Sequence, residues 1–169
     1  NTKTILLFRH PIAVTISRKQ LPRLETLLKV VENKLDSVQI ESAKRIMEGD
    51  DFFLKGILDW ILQNTILLNE TKTDKFIISY EQLVTDPILV LRELSNFCGD
   101  LNIMKMQKRI STPSHTTIYS NDATKHYFKN NNIRESFLID KWKEKVNEKM
   151  IDDTQKLLDL FKMDIYCAK

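Results

Sequence analysis

Residues 8–17, Phe8-Arg9-His10-Pro11-Ile12-Ala13-Val14-Thr15-Ile16-Ser17, hold the residue types in this chain best suited to gripping a phosphate. A guanidinium presents fixed donors that match phosphate oxygens in pairs. If Arg9 closes a buried parallel strand, it stands where α/β sheets bind their ligands. Pro11 sets up a helix start, and Ser17, eight positions after Arg9, stands on that helix as a hydroxyl donor. Taken singly the residues have plainer readings: Arg9 as a surface ion-pair partner, Ser17 as an ordinary helix residue, Tyr80 as a core aromatic. Only their joint order and spacing carry the functional reading.

The elements that must position these groups are readable from pattern. Residues 4–8 (Thr-Ile-Leu-Leu-Phe) and 76–80 (Phe-Ile-Ile-Ser-Tyr) are short apolar runs without alternation. Strands covered on both faces of a parallel sheet read this way. The helical pattern between them is too long for a hairpin and natural for a crossover. Within it Phe53, Ile57, Trp60, Ile61 and Leu68 recur at helical spacing behind Asp50 or Asp51 as N-cap, which predicts a buried helix. Asp86-Pro87 opens a further helix whose inward face is Val90, Leu91, Leu94, Phe97 and Cys98, and Gly99 closes it. Trp142, Val146, Met150, Leu157, Leu158 and Phe161 mark helical packing near the end, with Lys141, Lys143, Glu144 and Lys145 among its solvated charges.

Bulk properties bound the function. A chain of 169 residues, 42% hydrophobic and 29% charged, has the composition of one globular domain, so residues 1–169 are expected to form a single domain. The net charge of +3 arises from 26 basic and 23 acidic residues spread along the chain, without a polybasic block or a basic helix face. That balance suits an anionic small ligand better than nucleic acid. Cys98 and Cys167 stand in no zinc-like spacing, so a reduced compartment, the cytoplasm, and no metal are expected. Apolar stretches are interrupted by Asp59, Gln63, Asn64 and Asn69 too soon for a membrane span. Two buried-type strands make an incomplete sheet, which leads to the expectation that further strands precede Asn1 or belong to a partner chain.

The run from Phe8 to Ser17 resembles the 3′-phosphate-binding motif of the sulfotransferases that use 3′-phosphoadenosine-5′-phosphosulfate (PAPS). There a strand ends in Arg, followed by Asn or His, Pro and a helical Ser eight residues after the Arg. Ser79-Tyr80-Glu81-Gln82-Leu83 with the trailing Asp86-Pro87 is similar to that family's Tyr-Glu-Asp-Leu segment. Trp60, Trp142 with Lys143, and Ile165-Tyr166 resemble its later helices. The resemblance covers nearly the whole chain. It implies a three-layer α/β fold of the P-loop kind, helix-rich, with an incomplete parallel sheet here, the chain being the C-terminal part of a sulfotransferase domain. It also implies transfer of a sulfonate from PAPS to a hydroxyl or amine on a small-molecule, glycan or lipid acceptor, with adenosine 3′,5′-bisphosphate (PAP) as product and no metal. Arg9 and Ser17 would hold the 3′-phosphate, Tyr80 would lie near the adenine, and Glu81 would be a scaffold residue. His10 would be the structural second residue of the motif.

Two departures from the family pattern matter. Many members carry a late Arg-Lys-Gly segment on the same phosphate; here the only glycines are Gly49, Gly56 and Gly99. The polar stretch at residues 111–117 falls at about that place, and by the resemblance Ser114, Thr116 and Thr117 would do similar work. The family's phosphate-cradling Lys-Ser/Gly-Thr turn is also missing from this sequence, and so is a catalytic base other than His115 and His126 by default. Two other classes stay open. A P-loop-type nucleotide or small-molecule kinase would require magnesium, and a non-catalytic helical interaction module would bind no nucleotide.

Overall fold

The structure, a computed structural model, describes residues 2–18, 23–69, 73–99, 101–110 and 139–168. It is a helix-rich α/β chain. The elements in order are β1 (Lys3–Phe8), α1 (Pro11–Ser17), α2 (Leu24–Val31), a 3-10 turn (Glu32–Lys34), α3 (Ser37–Glu48), α4 (Phe52–Leu68), β2 (Asp74–Ser79), α5 (Tyr80–Thr85), α6 (Pro87–Cys98), α7 (Ile103–Ile110), a second 3-10 turn (Lys143–Lys145) and α8 (Glu148–Leu160). They fall into two compact units: Asn1–Phe8 with Asp74–Lys141, and Arg9–Thr73 with Trp142–Lys169.

The first unit is built on the sheet. β1 and β2 are parallel, in register from Lys3↔Asp74 to Phe8↔Ser79. Helix α6 forms as its sequence predicts: Asp86 Oδ1 accepts the Leu89 amide at 3.1 Å, Pro87 takes the first turn, and Gly99 ends the helix at φ 87. A positive φ is cheap only for glycine. Val90, Leu91 and Leu94 are buried, and Phe97 stacks on Phe76 of β2 with centroids 5.4 Å apart. Lys3 Nζ donates to the Phe97 carbonyl from β1.

Two expectations are corrected in this unit. The strands are not covered on both faces: Ile5, Leu7 and Ile77 remain 46%, 56% and 47% exposed. Leu7 pairs with Ile78, so both point to one face, and of that pair only Ile78 is buried. The second strand also ends a residue early. Ser79 accepts the Gln82 amide at 3.0 Å and Gln82 Oε1 accepts the Ser79 amide at 3.2 Å. This reciprocal cap turns Tyr80 into the first residue of α5.

The second unit is organised around α4, capped by Asp51, whose Oδ1 accepts the Leu54 amide at 3.0 Å. Ile57, Leu58, Ile61 and Leu62 are fully buried, because α1, α2, α3 and α8 all pack on this helix. Its buried polar side chains are bonded, as burial demands: Asn64 Nδ2 donates to the Trp60 carbonyl at 2.8 Å and Thr65 Oγ1 to that of Ile61 at 2.9 Å. Helix α3 opens on a reciprocal cap between Asp36 and Gln39. The Gln39 amide also donates to the Leu160 carbonyl at 2.8 Å, joining the start of α3 to the end of α8. The charges of residues 141, 143–145, 148 and 149 are exposed, as expected.

Helices α1 and α4 cross closely at a glycine. A Cβ on Gly56 would lie 2.4 Å from Thr15 Cγ2. Gly56→Ala is therefore expected to cost about 1–3 kcal/mol through overpacking, more than the roughly 1 kcal/mol that alanine gains over glycine inside a helix. Adding Thr15→Ala removes the clashing methyl, so the double variant should recover stability in denaturant unfolding. Equal losses in the single and double variants would refute this account of the crossing.

Candidate functional site

The chain leaves β1 at Phe8 and passes through Arg9 and His10 into α1. Three aromatic rings distant in sequence, Trp60, Trp142 and Tyr166, hold this turn together with the ring of His10 within it. Trp60 Nε1, from α4, donates to the Arg9 carbonyl at 3.1 Å. The His10 ring is 7% exposed and stacks on Trp142, with centroids 4.2 Å apart and planes inclined by 15°. Tyr166 meets both His10 and Trp60 edge-on, each at 5.8 Å. His10 Nε2 lies 3.2 Å from the Cys167 carbonyl. A carbonyl only accepts, so Nε2 carries the proton. His10 is thus packed and hydrogen-bonded where it stands, with the geometry of a structural residue.

The cluster fixes the backbone from which the Arg9 side chain departs, and that side chain is half-buried. Pro11, Ile12 and Ala13 bury the first turn of α1. Ser17 ends the helix exposed, and its hydroxyl donates to the Val14 carbonyl at 2.9 Å. The seven residues of α1 rise about 10 Å, so Arg9 and Ser17 flank the two ends of this short helix. Bringing both to one anion relies on the long Arg9 side chain and on rotation of the Ser17 hydroxyl away from Val14.

Beyond Ser17, Arg18 Nη1 donates to Asp59 Oδ2 at 2.7 Å, with the Asp59 side chain 8% and that of Arg18 48% exposed. Gln63 Nε2 donates to the same oxygen at 2.6 Å. A carboxylate so deeply buried needs these partners, and in return they hold the C-terminal end of α1 on α4. The Arg18 charge is thereby matched within the protein.

Tyr80 and Glu81, in the sheet unit, are half-buried at the start of α5, directly after β2. Ser114, Thr116, Thr117, His115 and His126 lie outside the described residues. The structure therefore places Arg9 and Ser17 on one short segment of one unit and Tyr80 in the other. The supporting cluster of His10, Trp60, Trp142 and Tyr166 was not legible as a cluster.

Among the described residues no group of three or more His, Cys, Asp or Glu side chains is placed to hold a metal ion, and no helix is long and apolar enough to cross a membrane. Comparison of the chain with protein-family models, curated proteins and solved structures returned no match.

Proposed function

We propose that this chain supplies the 3′-phosphate side of the nucleotide site of a PAPS-dependent sulfotransferase. The observation that carries the reading is the anchoring of Arg9. Its guanidinium leaves the C-terminal end of a parallel strand, where α/β folds bind ligands, from a backbone pinned by Trp60. An immobilised backbone lowers the entropy lost when the side chain grips an anion. Arg9 would take the 3′-phosphate in a paired contact, with Ser17 as a second donor. Tyr80 would face the adenine, an assignment that rests on the resemblance alone, as do those of Ser114, Thr116 and Thr117.

On this reading the fold is of the three-layer P-loop kind. The reaction is in-line attack of an acceptor hydroxyl or amine on the sulfonate, with PAP as the leaving group. The chain's described residues contribute binding and positioning. The loop that stabilises the charge on the bridging oxygen, and the base, are not among them.

Calorimetric titration of the intact protein with PAP and with AMP, without metal, tests the proposal. Tight binding of the bisphosphate beside weak binding of AMP is the expected result, because only the former carries a 3′-phosphate. Binding that requires magnesium would favour a kinase. Binding of neither nucleotide by the folded protein would favour a helical interaction module.

A further inference from the structure

Helix α7 carries a surface that the even spread of charge along the sequence conceals. Asn102 caps it, its Oδ1 accepting the Lys105 amide at 2.9 Å, and Lys108 with Arg109 occupies the last turn, where cations suit the helix dipole. Ile103 and Met106, three positions apart, are half-buried, and α7 packs on α6. On the opposite side Met104, Lys105, Lys108 and Arg109 share one face, being four apart in pairs, and all four are exposed. The helix contains no acidic residue. Lys105 and Arg109 make no ion pair among the described residues. Contrary to the sequence reading, the chain therefore does have a basic helix face.

We propose that this face of α7 docks on the headgroup layer of an anionic phospholipid bilayer. Charge complementarity alone would serve a phosphodiester backbone equally well; Met104 decides between them. It is 82% exposed, the most exposed of the large apolar side chains among the described residues, and it sits beside Lys108 on the outer face. A bilayer offers an acyl boundary into which such a side chain is buried. A nucleic-acid backbone offers it nothing, and this face has no aromatic ring on which a base could stack. Lys105 and Arg109 each contribute about fivefold to partitioning near an anionic surface. Together with a single thioether they give weak, reversible, salt-sensitive attachment. The inference does not depend on the nucleotide reading.

Sedimentation of the intact protein with vesicles of phosphatidylcholine, alone or mixed with phosphatidylserine, tests it. The protein is expected to sediment with the mixed vesicles only, and to be released as salt rises. A combined Lys105→Gln and Arg109→Gln variant should lower partitioning roughly 25-fold. Met104→Ser should lower it several-fold at low salt. These side chains are exposed, so circular dichroism should show the fold unchanged; if it does not, the lipid and salt dependence of the unaltered protein decides. Equal binding to both vesicle types, no binding to either, or unchanged binding by the double variant would overturn the proposal. So would binding to duplex DNA that displaces the vesicles and is indifferent to Met104→Ser.

Discussion

Trp60→Ala is expected to lower the unfolding free energy by about 3–5 kcal/mol, the range for removing a buried aromatic side chain. Trp60 is 3% exposed and sits where α4 meets the turn after β1. Its loss takes away a filled volume, an edge-on contact with Tyr166 and the N–H that donates to the Arg9 carbonyl. Trp60→Phe separates these parts. It keeps most of the volume and removes the N–H, so a smaller loss of about 1–3 kcal/mol is expected from the carbonyl left without that donor. Denaturant unfolding followed by far-ultraviolet circular dichroism reads both. A loss below about 1 kcal/mol for Trp60→Ala, well under the range for buried aromatics, would mean that the aromatic cluster does not hold the turn.

Arg9→Ala is expected to weaken binding of PAP by about 1.5–3 kcal/mol, roughly 10- to 150-fold, the worth of hydrogen bonds to a charged group. Binding of AMP should change little, since AMP lacks the phosphate that Arg9 is assigned. Arg9→Lys keeps the charge and loses the planar fork, so it should fall between the two. Titration calorimetry on each variant, beside its thermal unfolding curve, checks the assignment. Undiminished affinity for PAP in Arg9→Ala would remove Arg9 from the site.

How far this molecule could be read from its sequence varies from element to element, for physical reasons. Helices α4 and α6 were legible because their apolar residues repeat at helical spacing behind Asp51 and Asp86, and because Gly99 marks a stop that few other residues tolerate. The end of β2 was misplaced at Tyr80 because an apolar run does not reveal where a Ser79–Gln82 cap will take over the backbone. The exposure of Ile5, Leu7 and Ile77 was not legible at all: a strand's composition states what it can bury, not what lies beside it. The basic face of α7 was hidden because Lys105, Lys108 and Arg109 are interspersed with Met104, Met106 and Gln107 and collect on one side only once the helix winds. At the candidate site, Arg9 and Ser17 were visible through their spacing. The rings that support Arg9 were not, since His10, Trp60, Trp142 and Tyr166 meet only through tertiary packing.

The parallel register has a consequence for the order in which the chain assembles. Lys3 finds Asp74 only after about seventy intervening positions have been gathered in, and the entropy of closing a loop grows with its length. Helices α2, α3 and α4 contact one another through neighbours much closer in sequence, so their association carries a smaller closure penalty and is the faster event. Once residues 9–73 have condensed, the distance the two strands must close is no longer that of an open coil. The sheet is then expected to close after the helices. By the same argument the backbone of Arg9, held by a tryptophan of α4, is expected to settle with the helices, ahead of the strand that leads into it.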